Sequence, residues 1–317
     1  MPVRRLFLVV IAIVIVAPLP AFAAESGFAF LRVPVSARSV GMGESGVALL
    51  DGADAFFVNP AGLADPGGSA RSDAQWKTAS EAAITHHEAF SIFHQDAAVL
   101  DVARGREALA LQFQTFYSGD VEQRDEVGNL LGNFGLVDVA VQLGYARLVT
   151  TGLRLGGTVG YVKERVADAS ASTWALSAGG VWSPSGLPGL RVGGAVRQIG
   201  GKPHFEIDGA DGQQVSLPAT LQGGAAYTSK LGTSGHWAVA ADIRKAADES
   251  ATEHAGVEAG WSLLALRAGG RFGTDVGHFT AGLGVNSGRF TLDYAFLPSS
   301  ESLGDSHRLE LRIRFGL

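Results

Sequence analysis

The chain has 317 residues, 43 of them glycine, with 18% charged residues, no cysteine and a mean hydropathy of +0.18. The absence of cysteine excludes a disulfide framework and thiolate chemistry. The net charge of −6 argues against nucleic acid as a partner.

The first element in chain order is a short basic and apolar leader. Arg4 and Arg5 precede an apolar run from Leu6 to Ala17, and Pro18 and Pro20 end it. At about 12 residues the run is too short to span a bilayer as a helix. Ala21-Phe22-Ala23 then places small residues where a signal peptidase reads. Residues 1–23 are therefore expected to be a secretory signal peptide cut after Ala23; the alternative is a retained anchor. Cleavage leaves 23 basic and 31 acidic residues, a net charge of −8. No other stretch holds 18 consecutive apolar residues, so no membrane helix is expected in the rest of the chain.

Residues 24–70 form a second region, rich in small residues and without alternation. It contains Ala37-Arg38-Ser39-Val40-Gly41-Met42-Gly43 and then Asn59-Pro60-Ala61-Gly62-Leu63. Gly41, Gly43 and Gly46 permit tight backbone turns. Asn59-Pro60 suits a helix start, because Asn can cap and Pro presets φ. Alone, Asn-Pro-Ala-Gly also reads as an ordinary surface turn.

The third region, 71–317, alternates. Leu109, Leu111 and Phe113 face one way, and Ala110, Gln112 and Gln114 the other. The pattern recurs in 137–145, in 172–178, in 289–296 and in 308–315. Period two describes strands, not helices. The alternating segments lie near 86–93, 96–102, 107–117, 137–147, 152–164, 172–183, 190–199, 218–228, 236–245, 252–261, 263–272, 277–286, 289–297 and 306–315, about 14 strands. One face is Leu, Val, Phe, Trp and Tyr. The other carries Arg147, Arg154, Arg191, Arg197, Asp242, Arg244, Glu258, Arg267, Asp293, Arg312 and Arg314. Alternation alone also fits a soluble β-sandwich. The leader, strands of about ten residues and aromatic strand ends favour a membrane barrel whose polar face lines the lumen. The fold class expected is all-β: an antiparallel transmembrane β-barrel of about 14 strands with an N-terminal plug, or hatch, in the bacterial outer membrane. Short connections (103–106, 148–151, 184–189, 229–235, 287–288) and long ones (118–136, 200–217, 298–305) fall on opposite rims, as in outer-membrane barrels. That asymmetry assigns the N-terminus, the plug and the C-terminus to the periplasmic, short-turn rim.

The two N-terminal motifs together resemble the PorV/PorQ family, itself related to FadL-type transporters of hydrophobic compounds. The resemblance continues in Gly119-Asp120-Val121-Glu122-Gln123-Arg124 and in Gly304-Asp305-Ser306-His307-Arg308, and so covers nearly the whole mature chain. It implies a 14-stranded barrel with an N-terminal hatch, in which Arg38, Gly41, Met42, Gly43, Asn59, Pro60, Ala61 and Gly62 form the plug motif. Two departures stand out: Asp51 and Asp54 are separated by Gly52-Ala53 where paired acids are usual, and the chain ends Phe315-Gly316-Leu317.

The site residues expected are thus the plug motif and a luminal set of Arg154, Arg197, Arg244, Arg267, Asp293 and Arg312. The luminal charges have two readings, pairing with one another and with the plug or forming a path for an anionic ligand. No catalytic set is apparent: His86 and His87 fall on opposite faces of a strand and cannot share a metal there. A non-enzyme without cofactors is expected. Outer-membrane lipid is one expected partner. Three functions compete. The resemblance implies service to protein export of the type IX kind, with exported proteins or secretion components as partners. Its FadL-type relatives imply passive uptake of hydrophobic small molecules. A purely structural barrel is the third.

Overall fold

The computed structural model describes residues 26–65, 78–89, 92–119, 121–125, 127–207, 209–274, 277–298 and 304–316. The expected signal peptide, the ends of the expected plug region and the first residues of the expected barrel region lie outside them.

Fourteen antiparallel strands close into a barrel. In chain order they are β1 (Thr78–Ala89), β2 (Phe93–Arg104), β3 (Glu107–Ser118), β6 (Val137–Thr150), β7 (Leu153–Val166), β8 (Ala169–Trp182), β9 (Leu190–Gly200), β12 (Thr220–Leu231), β13 (Gly235–Ala246), β14 (Thr252–Gly260), β15 (Leu264–Phe272), β16 (Phe279–Ser287), β17 (Phe290–Leu297) and β18 (Ser306–Phe315). Each pairs with its sequence neighbour in this set, and β1 pairs with β18 from Ser80↔Phe315 to Ala89↔Ser306, which closes the ring. Closure leaves no unpaired edge, the condition for strands to cross a bilayer.

All fourteen strands match segments legible in the sequence, with different limits for the first two. β1 begins at Thr78, where Ala79, Ala82 and Ala83 blur the contrast between faces. Two of the long connections are not plain loops. Residues 118–136 hold a hairpin of β4 (Val121–Arg124) and β5 (Leu130–Phe134), and residues 200–217 hold a hairpin of β10 (His204–Ile207) and β11 (Ala210–Gln214), of which β10 joins the barrel sheet through Glu206↔Ser170.

The faces are sorted as a membrane requires. Outward side chains are bare and apolar, Leu109 at 65% exposure and Trp174 at 64% among them. Inward ones are polar yet buried, including Gln112, Gln142, Asp242, Glu258, Asp293, Glu310 and Arg312. A soluble protein buries the first kind and exposes the second; this chain is inverted, as a lipid-embedded barrel is.

The lumen is occupied. Residues 28–65 run through it as a short α-helix, α1 (Ala37–Gly41), and three 3-10 turns, Ala29–Arg32, Gly52–Phe57 and Pro60–Ala64. Phe28, Phe30, Met42, Phe56 and Leu63 are buried against inward alanines and valines of the strands. Each such side chain contributes roughly 1.5–3 kcal/mol when removed from water. One expectation is corrected. The described chain starts at the long-loop rim: Ser26 bridges to Ser216, Gly27 N donates to Ser216 O, and Arg32 pairs with Asp248 and Glu249. Only its far end, Asp65 beside Arg154 and Arg191, reaches the short-turn rim, where β18 also ends.

Candidate functional site: the filled lumen

Three kinds of contact hold the N-terminal segment in the barrel. The first is a continuous chain of charge. Arg154 pairs with Asp65, Asp65 with Arg191, Arg191 with Asp51, and Asp51 with Arg38. Arg38 forks onto Glu258, with Nε to Oε2 at 2.9 Å and Nη2 to Oε1 at 2.8 Å. Arg267 links Glu258 to Asp293, at 2.6 Å each, and Arg312 links Asp293 at 2.6 Å to Asp54 at 2.8 Å. Arg38, Asp51, Asp54 and Asp65 come from the segment and the rest from strands. Acids and arginines alternate along the whole chain, so each buried charge has an opposite neighbour, without which burial would be prohibitive.

The second kind joins backbone groups to inward side chains. Asp242 Oδ2 accepts from Gly46 N at 2.6 Å and Val47 N at 2.9 Å. Glu310 Oε2 accepts from Ala37 N at 2.9 Å, and Arg197 Nη1 donates to Phe57 O at 2.6 Å. Glu44 meets Arg244 at 2.8 Å and Arg271 at 3.2 Å. Burial pushes the Glu44 carboxyl up, but those two guanidiniums outweigh it and hold it down at about 2.

The third kind is close backbone approach. Gly41, Met42 and Gly43 lie against Gly256, Gly269 and Gly282 of the wall. A Cβ built on Gly269 would fall 2.0 Å from Gly43 N, so glycine is required on the strand. The Asn59-Pro60 corner is seated likewise. Asn59 Oδ1 caps the last turn by accepting from Ala61 N at 3.2 Å, with Pro60 at the first position. Asn59 Nδ2 donates to Val47 O at 2.7 Å and to Gly180 O of β8 at 3.0 Å. Pro60 O lies against Gly156, and Gly62 packs on Leu50 O and Ala55.

The residues singled out from sequence therefore meet in one place. Gly41, Met42, Gly43, Asn59, Pro60, Ala61 and Gly62 are buried in the lumen with Arg38 half-buried among them, and Arg154, Arg197, Arg244, Arg267, Asp293 and Arg312 all face it. One luminal assignment needs revision: Arg147 stands on the outward face, paired across the strands with Glu107 at 3.4 Å. Arg314 keeps the face of Arg308, Glu310 and Arg312 and sits half-exposed at the barrel end, paired with buried Glu81. His86 and His87 separate as expected: His86 faces outward to Asp96, and His87 faces inward to Ser306 and Arg308. Sequence reasoning missed Glu44, Asp65, Arg271 and the wall glycines; the glycines had looked like mere small positions in an alternating strand.

A cavity of about 40 Å³ remains between the segment and the wall. Leu31, Val35, Phe56 and Phe57 line it from the segment, and Gln114, Gln142, Gln222, Arg197 and Arg244 from the wall. It has room for a few waters at most.

No protein-family model matches the sequence, and no curated protein matches it. Solved structures do match the fold. The toluene transporter TodX of Pseudomonas putida is 12% identical and superposes with a TM-score of 0.60 over 94% of this chain and 99% of its own. CymD, a monoaromatic hydrocarbon channel, is 14% identical, with a TM-score of 0.58 over 90% and 97%. A FadL homologue of Pseudomonas aeruginosa is 12% identical, with a TM-score of 0.55 over 89% and 98%. The chain thus has the fold of FadL-type outer-membrane channels. These neighbours stand on the FadL side of the resemblance; its PorV/PorQ side rests on the sequence motifs alone.

Proposed function

We propose that this protein is a non-enzymatic outer-membrane channel for passive uptake of small hydrophobic molecules, closed at rest by its N-terminal segment. The observation that carries this reading is a closed barrel whose lumen is filled by residues 28–65, in a fold shared along most of its length with channels for toluene and other monoaromatic hydrocarbons. The cavity beside the segment, about 40 Å³, is well short of the roughly 150 Å³ in which a benzene ring is held. Passage of a hydrocarbon therefore requires part of the segment to move. The apolar side chains on the segment's side of the cavity supply the surface that a hydrophobic molecule would follow. The luminal charges then act as the seat of the closure and not as an anion path. Residues 24–70 serve as the plug and 71–317 as the barrel.

Entry of radiolabelled toluene into intact cells tests this reading. Cells lacking the gene should take it up more slowly at limiting concentration, and the complemented strain should recover. Equal rates would remove the channel reading. A second reading, service to protein export, is favoured by the motifs around Arg38 and Asn59. It requires exported proteins to disappear from the medium of the deletion strain while toluene entry is unchanged.

A further inference from the structure

Among the described residues, a cluster of cations without carboxylate partners lies on the outward face of the barrel. Lys163 and Arg165 occupy alternate positions of β7, and their side chains face outward near the long-loop rim. The directly opposed residues on β8 are Ser172 and Ser170, which share that face. Two cations and two hydroxyls thus share one patch, with the Cα atoms of Lys163 and Arg165 roughly 6.6 Å apart along the strand. Neither cation has an ion-pair partner among the described residues, whereas Arg154, Arg191, Arg244, Arg267 and Arg312 of the lumen each do. Arg165 Nε donates to Ala167 O at 3.3 Å, which anchors its guanidinium at the rim.

The patch is concave. The β4–β5 hairpin overhangs it on one side, so that Gln123 and Asn133 line a depression together with Lys163 and Arg165. The β10–β11 hairpin stands on the other side, where a second depression is lined by Lys163, Ser170 and Ser172. Asp168 lines the first depression, and Glu206 and Asp211 line the second. The first depression thus holds two cations against one carboxylate and the second one cation against two, so the anion-binding side of the patch is the first, between Lys163 and Arg165. Further along the same outward face the surface turns apolar: Tyr161 and Val159 continue β7, and Trp174 and Leu176 continue β8. Tyr161 and Trp174 pack edge to face at 6.1 Å. Aromatic pairs of this kind mark the level at which headgroups give way to acyl chains.

We infer that Lys163, Arg165, Ser170 and Ser172 bind the phosphate of a phosphorylated lipid in the long-loop-side leaflet, its acyl chains lying along the Tyr161–Trp174 surface. The cations supply charge-assisted hydrogen bonds. The hydroxyls and the amides of Gln123 and Asn133 are further donors. The apolar wall beneath distinguishes a lipid phosphate from a free one. The inference depends on the chain being a membrane barrel and not on what it transports.

Titration of the purified full-length protein with fluorescent lipid A in neutral detergent tests it. The K163Q/R165Q double variant should bind roughly thirtyfold more weakly, the loss expected for two interfacial cations. The charge-preserving K163R/R165K variant should stay near wild type, and R289Q, at the opposite rim, should be unchanged. Single K163Q and R165Q variants serve if the double variant does not fold. Labelled diacylglycerol, which has acyl chains but no phosphate, should show no difference between variants, and excess inorganic phosphate at matched ionic strength should not displace lipid A. Wild-type affinity in K163Q/R165Q, an equal loss in R289Q, or displacement by free phosphate would each overturn the assignment.

Discussion

Arg38 and Glu258, 220 residues apart in the chain, meet inside the barrel through two parallel hydrogen bonds of 2.9 and 2.8 Å. Glu258 also accepts from Arg267, so this one carboxylate ties the N-terminal segment to the wall and to the rest of the charge chain. Replacing Arg38 by Gln should destabilise the folded barrel by about 1.5–3 kcal/mol, because the buried carboxylate keeps Arg267 but loses its two charge-assisted bonds from Arg38. The R38M/E258M double variant should lose less than the two single Met variants added together. Urea unfolding in detergent checks this; strict additivity would mean that the pair does not couple segment to wall.

The wall glycines give a second expectation. Gly269→Ala places a methyl 2.0 Å from Gly43 N, against backbone that cannot swing aside. Gly223→Ala meets nothing within 4 Å. The first should lower stability by roughly 1–3 kcal/mol, as overpacking does, and the second should leave the melting temperature close to wild type. Equal effects would show that the approach of Gly43 to β15 is not tight.

The strands were legible because lipid and lumen impose opposite demands on adjacent residues. Leu109, Leu111 and Phe113 against Ala110, Gln112 and Gln114 carry that contrast in plain sight. The luminal partners were not legible, because nothing local links Arg38 to Glu258 or Arg312 to Asp54. Composition near Arg38 and Asn59 pointed to tight packing but not to what is packed against. Arg147 was misassigned because it was placed by its charge: it keeps the outward parity of Leu143 and Tyr145, and an ion pair with Glu107 satisfies it there at the short-turn rim. The descent of the segment from the long-loop rim was hidden too, since it depends on contacts of Ser26 and Arg32 with residues some 200 positions away.

Glu44 sets a pH dependence. Its carboxyl is held at about 2 in the folded protein, against an ordinary value of 4.5. As pH falls below 4.5 the unfolded chain takes the proton first, so the contribution of Glu44 is complete above that pH and fades down to about 2. The stability difference between wild type and E44Q should therefore be large at neutral pH and shrink between pH 4.5 and 2. A difference that stays constant over that window would contradict the pairing with Arg244 and Arg271.

Removing residues 27–65 should yield a barrel that still inserts, because the strands satisfy one another's backbone groups. A lumen of 14 strands is wide enough to fill with water once emptied. Planar-bilayer recording should then show ion conductance that the full chain lacks. Conductance no greater than that of the full chain would mean that the segment does not close the lumen.

The central claim is that hydrophobic molecules pass only when the segment leaves its seat. Ala37 of the segment and Ala295 of β17 pack together in one buried cluster, and the chain contains no cysteine of its own. In an A37C/A295C variant whose two thiols are shown by thiol titration to be oxidised, the single disulfide pins the segment to the wall. Toluene entry into intact cells expressing it, measured before and after reduction, is the direct test. Entry should be as slow as in the deletion strain while the disulfide is intact and recover to the wild-type rate on reduction. Wild-type entry through the oxidised protein would contradict it.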